Sequence, residues 1–250
     1  MSADKKFVRD SANINVIKYV IQSNIAKNVL LHAEVSDSPT SDKGAYELNI
    51  FASLERYSYR HLILKATFGG RETSKVQIEE YVDEIVKSEM KDANGFIKYI
   101  KYIVGCIRRF DENDYDILVK EGLVQDIDLW TDFAGEIKKC ESNICVVKYD
   151  VYGEKAADSV NFYAEISEDA TFPTMGSYDL CFYLTVNQLP TRRFLFGSGV
   201  GSAEMSMDDV KRNLDMHVRA QIEEGLDFAI RSMLKHSKVL MRVSEVAKVL

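Results

Sequence analysis

The chain has 250 residues, 46% of them hydrophobic and 28% charged, with only 3 prolines, enough apolar side chain to bury a core in one large domain or two small ones. That composition excludes collagen-like, mucin-like and extensively disordered chains, and the length excludes a disulfide-stapled miniprotein. With 32 Lys and Arg against 39 Asp and Glu the net charge is −7, which argues against broad electrostatic capture of duplex DNA or of an anionic membrane.

Met1 to Asp10 meet charges before any apolar run, so neither a secretory signal nor a membrane anchor is expected, and the expected location is cytoplasmic. Beyond that start, Ile14 to Ile21 and Val29 to Val35 are β-branched runs, and Tyr46 to Leu54 and Tyr59 to Phe68 alternate apolar and polar residues. Four consecutive strands with short links predict an antiparallel meander. After Gly69 and Gly70 a helix is expected to start at Ser74, with Gln77 completing a capping box. Its apolar stripe runs through Val76, Ile78, Val82, Ile85, Val86, Ala93, Phe96, Ile97 and Ile100. At about 1.5 Å per residue such a helix outruns the width of four strands, so it either breaks near Asn94 and Gly95 or reaches over a neighbour.

Residues 106–142 form a connector with helices expected over Asp114 to Lys120 and Ile127 to Lys139. It holds five basic and ten acidic residues, so much of the chain's acidity is gathered there.

Residues 143–250 repeat the order of residues 1–105. Gly44 to Phe51 (GAYELNIF) lies over Gly176 to Tyr183 (GSYDLCFY) at an offset of 132, Arg60 lies over Arg192, and Ser74 over Ser206. Upstream the offset slips slightly, bringing His32 to Ser36 over Tyr163 to Ser167 and Asn13 to Tyr19 over Asn143 to Tyr149. Ser206 with Asp209 repeats the helix start, and Val210, Leu214, Val218, Ile222, Ala229 and Met233 the stripe. The expected fold is therefore α+β: an internal duplication of a four-stranded antiparallel sheet plus one long helix, two sheets in all, joined by the helical connector and related by a pseudo-twofold.

Catalytic signatures are missing from the pattern. His32, His61, His217 and His236 have no i, i+4 partner, and Cys106, Cys140, Cys145 and Cys181 lack paired metal-ligand spacing, so reduced thiols, structural histidines and no metal or cofactor are expected. Glu34 and Glu165 match across the halves without an identified partner and read as rim contacts. The glycines from Gly197 to Gly201 read as a permissive strand-to-helix turn rather than a phosphate loop.

Two surfaces carry the functional expectations. The first is a negative face on the connector, with Asp111, Glu112, Asp114, Asp116, Asp126 and Asp128 around the lone Trp130, suited to docking on a basic surface of a protein partner. The alternative is the corner between the third and fourth strands of each half, where Arg56, Tyr57, Tyr59, Arg60, Arg192 and Arg193 mix guanidinium groups with aromatics suited to a single-stranded nucleic acid.

The tandem ββββα order resembles that of PUR-repeat and whirly-type single-strand binders, which implies nucleic-acid binding through the sheet. Acidity, size and the sheet-plus-long-helix design also resemble acidic phage proteins that inhibit the host RNA degradosome, which implies occupation of a nuclease's RNA-binding surface. The reading adopted is a non-catalytic regulatory protein that docks on a basic partner surface, with single-strand binding as the alternative. A homodimer is expected because Val239, Leu240, Met241, Val243, Val246, Val249 and Leu250 need burial.

Overall fold

Alternating side chains give each strand two faces, and here both are used. A computed structural model describes residues 6–36, 45–55, 57, 59–70, 72–91, 95–110, 112–126, 135–141, 143–152, 160–168, 178–186, 189, 191–202, 204–219, 230–231 and 233. The strands are β1 (Lys6–Ser23), β2 (Val29–Ser36), β3 (Tyr46–Ser53), β4 (Tyr59–Phe68), β5 (Gly135–Lys139), β6 (Ile144–Tyr152), β7 (Val160–Ser167), β8 (Tyr178–Val186) and β9 (Thr191–Val200). Among the described residues three helices, α1 (Lys75–Lys91), α2 (Phe96–Phe110) and α3 (Glu112–Lys120), separate β4 from β5, and residues 207–219 are helical after β9.

The fold is α+β, but the nine strands form one antiparallel sheet rather than the two expected, in the order β2-β3-β4-β9-β8-β7-β6-β1-β5. Two ladders join what would have been separate sheets. Tyr59, Arg60 and His61 pair with Arg193, Arg192 and Thr191, while Ile14 and Val16 pair with Val146 and Ile144. Because the other edge of β1 pairs with β2, the ladder returns on itself through eight strands. Pairing across these edges satisfies backbone groups that two open meanders would have left exposed.

Three further expectations change. Residues 135–139 were expected to end a helix but form β5, which pairs with Tyr19 to Ser23 on the edge of β1 beside β6. β1 is longer than Ile14 to Ile21, because Lys6 to Arg9 also pair with β6 past a register shift between Arg9 and Asn13. The first long helix takes one of its two expected outcomes and breaks between Lys91 and Phe96, giving α1 and α2. The glycines from Gly197 lie inside β9 up to Val200, and the strand-to-helix turn begins at Gly201, whose φ of 88° matches the +65° of Gly69. A side chain at Gly69 would drive its Cβ to 2.5 Å from Thr73 Oγ1, so glycine is required there.

One sheet face carries Leu31, Ala33, Leu48 and Ile50 beneath α1 and α2, where Val82, Val86, Phe96, Ile100 and Val104 are buried. The same face farther along carries Val147, Phe162, Leu180 and Phe182 beneath the 207–219 helix, with Val210, Leu214 and Val218. α1 and the 207–219 helix are each also tied by a tyrosine: Tyr19 donates to Asp83 Oδ1 at 2.5 Å and Tyr149 to Asp215 Oδ1 at 2.7 Å. Both capping boxes form as expected, Ser74 with Gln77 and Ser206 with Asp209. No helix among the described residues is long and apolar enough to cross a membrane. Ile222, Ala229 and the apolar residues from Val239 to Leu250 lie outside the described residues.

Candidate functional site

The opposite sheet face turns inward, and the matched glutamates and arginines meet there. Arg60 of β4 reaches Glu165 of β7 with Nη1 2.5 Å from Oε2 and Nη2 3.3 Å from Oε1. Arg192 of β9 reaches Glu34 of β2 at 2.5 and 2.7 Å. In each pair the partners sit three strands apart in the sheet order, about 14 Å on a flat sheet. Direct contact is possible only because the sheet curves around them.

Aromatic rings line this interior. The Arg60 guanidinium lies 3.9 Å from the centre of the Tyr183 ring and donates to its hydroxyl. Arg192 lies 4.3 Å from the Phe51 ring and 3.6 Å from that of Tyr163. Arg60 and Arg192 are directly opposed in the β4–β9 ladder, a repulsive arrangement that the two bidentate carboxylates offset. Burial alone would push the Glu165 carboxyl up, but the Arg60 charge and hydrogen bond hold it at about 2. Burial, followed by the Arg60 charge, holds the His32 imidazole well below its usual value. Neither of its ring nitrogens has a hydrogen-bond partner among the described residues. Burial likewise holds His61 at about 4, beside Thr191 Oγ1 at 3.3 Å.

This geometry corrects two expectations. Glu34 and Glu165 are not rim contacts; they are buried at 1% and 7% exposure and fully engaged. Arg60 and Arg192 are not at a solvated corner offering charge to a single strand. They lie inside the closed sheet, where desolvation demands carboxylate partners. What the interior does chemically is tie together strands that sit three apart in the sheet order, β4 to β7 and β9 to β2. Arg193, near the Tyr59 ring at 5.8 Å, and Tyr57, packed on Tyr59 at 5.4 Å, are what the described surface retains of that corner. Arg56 lies outside the described residues.

The connector's acidic face is partly present as α3. Asp and Glu in its first turn favour the helix start, and Tyr115 and Leu118 are buried against α2. Glu112 and Asp116 are exposed, Asp114 is half-buried, and Asp126 accepts a hydrogen bond from Tyr115 with Arg108 3.9 Å away. Asp111, Asp128 and Trp130 lie outside the described residues. A residue that the sequence reading passed over sits among these acids: Ile117 is 50% exposed. It falls off the Tyr115, Leu118, Val119 stripe, and an off-stripe apolar residue on an acidic helix was the available signal.

No family model, curated protein or solved structure matches the chain.

Proposed function

We propose that the chain is a non-catalytic binding protein that docks the α3 face onto a basic surface of a protein partner, such as the nucleic-acid site of an RNA- or DNA-processing enzyme. The observation that carries this reading is Ile117, an exposed apolar side chain on a helix that also exposes the carboxylates of Glu112 and Asp116. An apolar anchor within a charged rim suits burial in a partner's pocket, with the acids steering the encounter. The burial of Arg60 and Arg192 supports it too, by taking out of reach two of the four arginines that direct single-strand binding would use.

The same reading takes β1 to β4 with α1, and β6 to β9 with the 207–219 helix, as two copies of one ββββα unit. Its support is repetition of particular contacts at offsets of 130 to 132 residues: Tyr19–Asp83 with Tyr149–Asp215, and Arg60–Glu165 with Arg192–Glu34. A homodimer built on Val239 to Leu250 belongs to the proposal, and a one-chain mass by light scattering at every concentration would overturn that part.

Three immobilised chains test the docking surface in an extract of the producing cell: the parent, Ile117→Ser, and Glu112→Gln with Asp116→Asn. The expected result is a protein retained by the parent at about 150 mM salt and lost from both variants. Identical retention by all three overturns the proposal. So does submicromolar binding of a labelled single-stranded oligonucleotide that Arg193→Ala abolishes.

A further inference from the structure

A cavity of about 800 Å3 opens between β1, the end of β2, the start of α1 and the turn joining β5 to β6. That volume lies in the range of small-molecule sites. Its wall is apolar where Ile17, Val35 and Ile78 share the face beneath α1, while Lys75, Lys139 and Glu79 bring charge.

The charges are unevenly committed. Lys139 Nζ lies 3.3 Å from both Glu79 Oε2 and Asp83 Oδ1, so these groups largely satisfy one another. Lys75 makes no ion pair among the described residues, and the first turn of α1 contains no acid. A helix start is already electropositive, and Lys75 adds to it where the cavity opens.

The position 132 residues onward is built differently on the same frame. Arg9 stands where Lys139 does, and its Nη1 donates to Lys211 O at 3.0 Å and lies 3.8 Å from Asp215. There, however, Met205 and Met207 replace Thr73 and Lys75. Met207 is buried and Met205 packs against the core beneath the helix. Asp208 and Asp209 replace Val76 and Gln77, putting acids where α1 has none. One start is therefore plugged with thioethers and negatively charged, while the other is open and positive.

We propose that the open cavity is a binding site for a small amphipathic anion, an apolar body carrying a single oxyanion head such as a carboxylate or phosphate. The body lies on Ile17, Val35 and Ile78, and the head meets Lys75 at the start of α1. This site is independent of the α3 docking surface.

The probe is 8-anilinonaphthalene-1-sulfonate, titrated into the full chain and followed by emission. One molecule per chain is expected, displaced by decanoate and by decyl phosphate but not by decyltrimethylammonium, whose apolar body is the same and whose charge is opposite. Thr73→Met with Lys75→Met, which copies the plugged start, removes binding. Lys75→Glu, at an exposed position that leaves the melting temperature unchanged, weakens it about tenfold through charge reversal. Absence of binding to the parent, equal displacement by the cation, or unaltered affinity in folded Lys75→Glu overturns the proposal.

Discussion

Glu34 and Arg192, 158 residues apart, close a bidentate ion pair inside the sheet with the carboxylate 1% exposed. Removing one partner strands the other charge where water cannot reach it. Arg192→Met should cost about 3–5 kcal/mol in urea unfolding, whereas Glu34→Leu combined with Arg192→Met should recover most of that loss. A single variant that loses under about 1 kcal/mol would mean the pair is solvated.

Acid should erode stability in two steps of the same sign. The folded-state value of His61 is lowered from 6.5 to about 4, so the unfolded chain binds the proton first, and stability present above about 6.5 declines as pH falls towards 4. Glu165 is lowered from 4.5 to about 2, so its contribution is present above about 4.5 and lost as pH falls through 2. His61 and Glu165 each contribute about 3 kcal/mol. His61→Asn should remove its own share of the upper step and leave the part due to His32, which is lowered too and titrates in the same sense. An unchanged slope between pH 6.5 and 4, measured by denaturant titration, would exclude His61 as a source.

The tyrosine ties should matter equally at both helices. Tyr149→Phe and Tyr19→Phe each delete one hydrogen bond to a helix aspartate, an expected loss of about 1 kcal/mol apiece. Thermal unfolding reads this directly, and the two losses should add because the sites lie on separate cores. A loss confined to one tyrosine would show that the two helices are held differently.

On the docking face, charge and anchor should act on different rates. Glu112→Gln with Asp116→Asn should slow association and flatten its salt dependence, while Ile117→Ser should mainly speed dissociation. Surface plasmon resonance on a partner captured by the parent separates the two. Both variants changing only dissociation would place the acids within the contact rather than at its rim.

Much of the site was legible in pairs of residues but not in their roles. Glu34 with Glu165 and Arg60 with Arg192 were visible as matched positions, yet the alignment carries no information on which arginine meets which carboxylate. Each crosses to the other set of strands, so a reading confined to one half leaves all four groups without partners and assigns them to the surface. Ile117 was missed for the opposite reason, since its exposure follows from how α3 seats Tyr115 and Leu118 against the core.

Local chemistry in the sequence determined the meanders and both helix starts. The strand alternation needs only neighbours in the chain, and the bonds of Ser74 to Gln77 and Ser206 to Asp209 span three residues. The tertiary structure alone decided three features: that Gly135 to Lys139 is a strand, that the sheet closes on itself, and that the arginines lie inside it. Gly135 to Lys139 has no strand signal of its own and becomes one because the edge of β1 from Tyr19 to Ser23 has backbone groups to satisfy. Closure and burial depend on ladders and ion pairs between residues more than a hundred positions apart, and such partners exist only once the chain has folded back on itself.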